Sequence, residues 1–270
     1  SIAFSDAWLY KNGIYLDGTD AGMHIKADDY FTFSKIEFMG AITSSKYKKE
    51  LIDALGSTVD GNYESSNFSA TINPHFYTTA RPQGFYELRF ALKKIRAAKA
   101  RPALLSTANI VSNAMMAEAL LQASFIDKKY SKKANSLLQR LKKPTSFEGS
   151  AFYISAMLAG YDSLWEIKFL EQADTVMKQA LNKFYKNGVW YEDAAHKKEA
   201  DLSDTHFISA VSKMVSNLQK LNRYKHSIYV NPLKQTMAKL SPAIDAKSCE
   251  AASLIMATHF MSKSPSSGKD

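Results

Sequence analysis

The chain has 270 residues, 46% hydrophobic and 23% charged, so it is typical of a globular protein that forms one large domain or two small ones. The net charge of +9 comes from lysines and arginines in expected helix ends and turns. No nucleic-acid-binding motif accompanies them, and nucleic acid is not expected as a partner. No apolar run approaches the roughly 20 residues of a membrane helix, so no membrane partner is expected either. The single cysteine, Cys249, excludes an internal disulfide and leaves the compartment open, with the cytoplasm slightly favoured.

The first 82 residues are turn-rich and weakly periodic. Three glycines between Asn12 and Met23 indicate turns between short extended pieces, and Tyr30–Phe33 alternates loosely like a short strand. A short helix is predicted from Lys46 to Leu55. We expect this segment to pack on the helical region that follows.

Apolar residues recur at helical spacing through the rest of the chain. The predicted helices cover residues 83–100, 107–124, 131–141, 147–161, 166–185, 203–221, 232–240 and 247–261. Ser131 and Ser203 are the predicted N-caps of their helices. Residues 263–270 have the composition of a disordered tail.

Nearly uncharged helices alternate with amphipathic ones, which indicates repeated helical hairpins. An α-solenoid and a ring with inner and outer helices both suit this alternation, and turns such as Asn187–Tyr191 favour the ring. The predicted fold is therefore all-α, a partial or complete α/α toroid over residues 83–262, preceded by a segment with room for short strands. Helices 107–124, 147–161 and 203–221 are expected to adjoin one another on the inner surface.

Several segments also carry a family resemblance. They are Asn12-Gly13-Ile14-Tyr15 with Thr19-Asp20-Ala21, Gly56 to Glu64 (G-S-T-V-D-G-N-Y-E), Arg96 to Pro102 (R-A-A-K-A-R-P), Asn113-Ala114, Phe147 to Phe152 (F-E-G-S-A-F) and Leu202 to Thr205 (L-S-D-T). In this order they resemble motifs of the thioredoxin-domain-containing family related to the spermatogenesis-associated thioredoxin-like proteins. The C-terminal helical region of that family is similar to the six-hairpin glycosidase and N-acylglucosamine epimerase toroids.

The chain departs from the family pattern where such toroids have their cavity. Ser112 stands at a family tryptophan, Gly149-Ser150 at an Asp-Tyr pair, and Asp204-Thr205 at a Gly-Asn pair. The resemblance also implies earlier hairpins and a thioredoxin-like domain. The chain is therefore expected to be the C-terminal part of a longer protein, with its exposed edge covered by the missing part, by a second chain or by residues 1–80.

The expected cavity has few candidates for chemistry. Glu148 is the candidate catalytic acid, with a first-turn carboxylate that stabilises the helix as its alternative. The candidates for lining the cavity or binding a ligand are Asn113, Ser203, Asp204, His206, Tyr15, Trp190 and Tyr191. The aspartate, the histidine and the aromatic residues have structural alternatives, namely capping for the aspartate, a satisfied polar group for the histidine, and packing at hairpin junctions for the aromatic residues. The histidines lack metal-ligand spacing and no nucleotide-binding motif occurs, so neither a metal nor a cofactor is expected.

Two functions follow from these residues. The preferred one is a degenerate toroid domain that binds a ligand or acts as a scaffold, with carbohydrate as the possible ligand. The alternative is a carbohydrate-active isomerase or hydrolase acting through Glu148, so enzymatic activity stays open. Convergence of two or more titratable side chains in the cavity would favour the alternative.

Overall fold

The computed structural model describes residues 5–6, 9–18, 30, 32–42, 45–55, 71–72, 81–204, 207–225, 228–246 and 251–262. The described helices are α1 (Lys35–Ile42), α2 (Lys48–Leu55), α3 (Phe85–Ala98), α4 (Ile110–Ser124), α5 (Lys129–Arg140), α6 (Phe147–Leu164), α7 (Ile167–Phe184), α8 (Ala210–Tyr224), α9 (Val230–Ala246) and α10 (Ala252–Ser262). The described strands are β1 (Tyr10–Lys11), β2 (Ile14–Tyr15), β3 (Phe33–Ser34), β4 (Thr71–Ile72), β5 (Tyr185–Lys186) and β6 (Val189–Trp190).

The chain forms two compact units, Ser1–Asp17 with Thr107–Asp270, and Gly18–Ser106. The first unit, here the hairpin unit, is discontinuous in sequence, and the second, here the inserted unit, interrupts it. The inserted unit includes α3, which the sequence assigns to the helical domain. The predicted domain boundaries at residues 82 and 262 stay a prediction.

The hairpin unit has the layered arrangement of an α/α toroid. The inner helices α4, α6, α8 and α10 contact one another in that order, and α5, α7 and α9 lie outside them as the return arms of the hairpins. The predicted adjacency of the three inner helices is therefore confirmed. Among the described helices, none is both long and apolar enough to cross a bilayer.

The inner helices run parallel, with their N-termini at one end. A Cβ on Gly149, near the start of α6, would come within 3.1 Å of Ile110, which begins α4. At the far end the rings of Tyr161 in α6 and Tyr224 in α8 pack edge to face, 5.2 Å apart. N-termini therefore meet N-termini and C-termini meet C-termini.

Burial explains why α6 has apolar residues around nearly its whole circumference. Phe152, Ile154 and Met157 are fully buried because α6 has inner helices on two sides and α7 behind it. The outer helix α7 buries one face only, including Phe169 and Met177, and is accordingly amphipathic.

Polar caps define where the inner helices begin. The N-caps are Asn109 for α4, Ser146 for α6 and Ser209 for α8, and each accepts a backbone N–H of its first turn. The predicted start at Ser203 is wrong, because residues 201–204 are non-helical and α8 begins at Ala210. The predicted cap Ser131 is also wrong, since it lies inside α5.

The same β-hairpin occurs twice in the hairpin unit. Y-K-N-G-I-Y at Tyr10–Tyr15 forms β1–β2, and Y-K-N-G-V-W at Tyr185–Trp190 forms β5–β6, with the same antiparallel register. Each Asn-Gly pair has two positive φ angles, 52° and 88° in the first turn and 50° and 88° in the second, as a type I′ turn requires. Outside each hairpin, the N–H of Leu16 bonds the carbonyl of Leu9, and the N–H of Tyr191 bonds that of Phe184 in the same way.

The inserted unit has its own small core. Strands β3 and β4 pair antiparallel, and α1 packs against α3. The core consists of Phe33, Phe38, Ile42, Leu51, Leu88 and Leu92. Helix α2 confirms the predicted helix from Lys46 to Leu55, whereas α1 lies in a stretch expected to be turn-rich.

Candidate functional site

An open cavity of about 420 Å³ lies where α6 and α8 begin. We call it the mouth cavity. Its lining residues are Ser146, Phe147, Glu148, Glu192, Ala200, Asp201, Ser203, Phe207, Ile208, Ser209 and Ala210. Three carboxylates therefore share it, and the described lining residues include no lysine or arginine. The chain as a whole is basic, so this acidity is local.

Glu148 enters the mouth cavity from the first turn of α6. The Ser146 hydroxyl accepts the Gly149 N–H at 3.1 Å and fixes the start of the helix. Glu148 is exposed, and it makes no hydrogen bond or ion pair with the described residues. A carboxylate here is favoured by the helix dipole and keeps its acceptor oxygens available.

Glu192 and Asp201 come from the loop between β6 and α8. Asp193 shapes this loop by accepting the backbone N–H groups of Ala195 and Lys198 at 2.8 and 2.9 Å. These backbone bonds, that of Lys198 foremost, hold the pKa of the Asp193 carboxyl below its ordinary value. Glu192 pairs with the exposed Lys198 at 2.6 Å, which partly neutralises one cavity carboxylate.

Ser203 and Asp204 are neighbours with different surroundings. Ser203 lines the mouth cavity, and its N–H donates to Asp201 at 3.0 Å. Asp204 accepts the N–H groups of Ser209 and Ser253, each at 2.8 Å, and so joins the starts of α8 and α10. This contact matches the capping alternative for Asp204. His206 lies outside the described residues.

Asn113 and Tyr15 lie together and away from the described lining of the cavity. The Asn113 amide accepts the Tyr15 N–H and donates to the Tyr15 carbonyl, both at 2.8 Å, and it also donates to the Asn109 carbonyl at 2.9 Å. Asn113 is 3% exposed. The Tyr15 hydroxyl donates to Asp6 at 2.6 Å; burial first, then this carboxylate, raises the pKa of the tyrosine. The pair fastens β2 to α4.

The aromatic candidates differ in accessibility. Trp190 is 3% exposed and stacks on Phe147 at 5.5 Å, which corresponds to the packing alternative. Tyr191 is half-buried against the His196 ring. Phe207 falls within the predicted helix 203–221, but in the structure it precedes α8 and is 43% exposed in the mouth cavity. Its ring contacts Phe152 edge to face at 5.6 Å.

Neither the carboxylate of Glu192 nor the ring of Phe207 was predicted from the sequence to line the cavity. A signal for the first was available: the repeated Y-K-N-G hairpin aligns Glu192 with Asp17, whose carboxylate accepts the Asn109 N–H at 2.5 Å at the start of α4. An acid therefore follows both hairpins and approaches an inner-helix start. Within the described part of the chain, no cluster of three or more His, Cys, Asp or Glu residues could hold a metal ion.

No protein-family model matches the sequence, and no curated protein matches it either. Among solved structures, the chain is similar to the GH76A α-1,6-mannanase from Salegentibacter sp. HEL1_6, with 12% identity, a TM-score of 0.39, and coverage of 86% of this chain and 65% of that one. An inactive variant of that enzyme with α-1,6-mannotriose gives 12% identity and a TM-score of 0.40, covering 86% and 65%. The variant with α-1,6-mannotetrose gives 11% and 0.39, covering 87% and 66%. The chain thus spans about 65% of the length of the first mannanase structure. The structural similarity is too low to support an inference about activity.

Proposed function

We propose that the chain binds a neutral carbohydrate in the mouth cavity. The observation that carries the proposal is the sharing of one cavity by Glu148, Glu192, Asp201 and the exposed ring of Phe207. Carboxylates accept the hydroxyl groups of a sugar in charge-assisted hydrogen bonds, and an aromatic face packs on its C–H groups. A volume of about 420 Å³ falls within the roughly 300–1,000 Å³ of small-molecule sites.

The negative charge of the cavity lining limits the class of ligand that can bind. The described lining has three carboxylates and no lysine or arginine, so its charge remains negative even though Lys198 partly neutralises Glu192, and it repels phosphorylated sugars and uronates. Neutral oligosaccharides are accordingly the expected ligands, and oligouronides are the expected non-binders.

Titration calorimetry with a panel of neutral oligosaccharides, α-1,6-mannotetrose among them, tests the proposal. Glu148→Gln should weaken binding roughly tenfold, because a neutral amide oxygen replaces the charged acceptor of a charge-assisted hydrogen bond. Phe207→Ala should also weaken it. Glu171→Gln is the matched control, since Glu171 is exposed on the outer helix α7. Equal effects of the two Glu→Gln changes, or tighter binding of oligouronides, would contradict the proposal.

The second candidate is carbohydrate hydrolysis or isomerisation with Glu148 as the acid. It is favoured by the convergence of three carboxylates in the same cavity, which is the feature expected from the sequence to favour an enzyme, since glycosidases work with pairs of carboxyl groups about 5–10 Å apart. Product release from the same oligosaccharides, abolished by Glu148→Gln and by Asp201→Asn but retained by Glu171→Gln, would establish catalysis. Binding without turnover would leave the chain a binding domain.

Kinship with the thioredoxin-domain-containing family rests only on the ordered sequence motifs and remains part of the proposal. So does the expectation that a longer protein or a second chain completes the ring. Mass spectrometry of the native protein tests both, because a longer polypeptide containing a thioredoxin-like C-x-x-C segment is the expected product.

A further inference from the structure

The end of the hairpin unit opposite the mouth cavity carries exposed apolar side chains. Because the inner helices run parallel, the turns that follow α4, α6 and α8 all lie at this end. Helix α6 has 18 residues, which separates the two ends by about 27 Å. We call the surface formed by Phe125, Ile126, Trp165, Ile167 and Ile228 the tip face. Each of the three turns contributes at least one of these residues.

The exposure of these side chains is large. Ile126 is 91% exposed, Trp165 80% and Phe125 78%, and Ile167 and Ile228 are more than half exposed. Single exposed apolar residues need no explanation, but their recurrence at three successive turns of one end does.

Trp165 is also held in an unfavourable backbone conformation. As the C-cap of α6 it has φ 57° and ψ 24°, a left-handed conformation that usually selects glycine at a helix end. A bulky residue there is a genuine outlier, and its ring gains little burial in return. Such strain is characteristic of functional positions.

The charges around the tip face are mainly positive. Residues 125–129, 162–168 and 220–228 contain six lysines and arginines against three acids. The acids Asp127, Asp162 and Glu166 each pair with a lysine, namely Lys129, Lys220 and Lys168. The excess is therefore basic.

We propose that the tip face docks the protein on an anionic lipid bilayer. Trp165, Phe125 and Ile126 enter the interfacial region, where aromatic side chains are favoured, and the lysines bind lipid head groups. Docking on a membrane surface needs no membrane-spanning helix. The sequence predicted no membrane partner because it lacks an apolar run long enough to span a bilayer, and the proposal differs from that prediction without requiring such a run. With the tip face on the bilayer, the mouth cavity faces the solvent.

A second copy of the chain fits the tip face less well. A two-fold contact through this surface would bring its basic residues against themselves, because the same patch faces itself in such an interface. The apolar side chains also come from three separate turns, which suits insertion among lipids better than packing against a flat protein surface.

Vesicle sedimentation of the full chain tests the proposal. The chain should sediment with phosphatidylcholine vesicles that contain phosphatidylserine, far less with phosphatidylcholine alone, and progressively less as salt rises. Trp165→Gly should reduce the partition coefficient at least about tenfold. Because glycine relieves the left-handed strain, this variant should unfold at the same urea concentration or a higher one, so lost binding is not lost folding.

The role of the positive charge is tested with two matched pairs of lysines. Lys128→Glu with Lys129→Glu should weaken sedimentation at least about tenfold, at roughly fivefold for each lysine lost near the surface. Lys142→Glu with Lys143→Glu is the control, since these exposed lysines precede α6 at the opposite end. Equal losses from both pairs, equal binding to neutral vesicles, or no vesicle binding would overturn the proposal. A dimer in light scattering that Trp165→Gly dissociates would overturn it in favour of self-association.

Discussion

The Lys213 ammonium lies 3.0 Å from the Oε2 of Glu118, so that a residue of α8 and a residue of α4 meet across α6. Ser155 of α6 completes the contact, with its hydroxyl 3.2 Å from the same ammonium. The two charged side chains are only 16% and 24% exposed. One ionic contact therefore ties three consecutive inner helices together. Phe152 links it to the mouth cavity, because Lys213 lies over the ring of Phe152 and the ring of Phe207 packs edge to face with it.

Lys213→Met should lower the free energy of unfolding by roughly 2–3 kcal/mol, because the Glu118 carboxylate would lose its partner while half-buried. The double variant Lys213→Met with Glu118→Leu should return to within about 1 kcal/mol of the parent chain, since no unpaired charge remains. Urea denaturation measures both. Lys220→Met removes an exposed α8–α6 ion pair and should cost less than about 1 kcal/mol. If the double variant is as unstable as the single one, an unpaired carboxylate is not the cause.

Asn113→Ala should destabilise the hairpin unit by roughly 2–4 kcal/mol, because it removes the hydrogen-bond partner of the buried N–H and carbonyl of Tyr15. Hydrogen exchange should show the loss first at residues 9–17. Asn135→Ala is the control, since Asn135 bonds Glu166 near the surface and should cost about 1 kcal/mol or less. Unchanged exchange at residues 9–17 in Asn113→Ala would contradict the role assigned to this side chain.

The two hairpin glycines allow a matched comparison. Gly13 and Gly188 share a φ of 88°, so alanine is strained equally at both. A Cβ at Gly188 would lie 2.6 Å from the carbonyl oxygen of Gln235 in α9, whereas at Gly13 the three nearest atoms all belong to the flexible side chain of Arg140. Gly188→Ala should therefore cost at least about 1 kcal/mol more than Gly13→Ala in thermal or urea unfolding. Equal costs would mean that backbone strain alone decides both.

Acid should weaken the contact between Asp174 and Tyr229. Burial acts to raise the pKa of the Asp174 carboxyl, but hydrogen bonds from Lys178 and Tyr229 outweigh it and hold that pKa below its ordinary value. The resulting stability is present above the unfolded pKa of about 3.9 and is lost as pH falls through the lower folded value. Below about pH 4 the unfolding free energy of Asp174→Asn should accordingly fall less steeply than that of the parent chain. Parallel pH curves would contradict this.

Alkali should act on the same contact through the tyrosine. Burial, and then the Asp174 carboxylate, raises the pKa of the Tyr229 hydroxyl. This contribution to stability is present below the unfolded pKa of about 10 and is lost as pH rises towards the folded value. Tyr229→Phe should flatten the alkaline limb of the stability curve, measured by urea denaturation at each pH.

The hairpin architecture was predictable because an inner helix that is buried on two sides has a recognisably apolar sequence. Helix α6 needs apolar residues on nearly its whole circumference, and the alternation with amphipathic α7 follows from that. The start of α8 was not predictable in the same way. Ser203 and Ser209 are both acceptable caps, and the choice depends on Asp204, which bonds the N–H of Ser209 together with that of Ser253, a residue far along the chain.

The mouth cavity was predictable only in part. Glu148 stands out as a charge at the start of an apolar helix, and local pattern is sufficient for that. Glu192 enters the cavity because the loop after β6 folds back through Asp193 and the pairing of Tyr191 with Glu199, and Phe207 enters it from the residues just before α8. That geometry depends on loop contacts that periodicity does not encode. The Asn113–Tyr15 contact joins residues 98 positions apart, beyond the reach of any local pattern.

Backbone hydrogen bonds join the two ends of the inserted unit to each other, and likewise the two residues of the hairpin unit that flank it. The Leu105 N–H donates to the Gly18 carbonyl at 3.0 Å. The Asp17 N–H donates to the Thr107 carbonyl, also at 3.0 Å. When the inserted unit folds first, these bonds hold residues 17 and 107 close together before the Asn113–Tyr15 contact forms. The entropic cost of closing that long loop, which grows with the logarithm of its length, then falls on the inserted unit rather than on the hairpins. Slow assembly of the inserted unit would consequently delay the attachment of β1–β2 to α4, while the α6–α7 hairpin, built from local contacts, forms early.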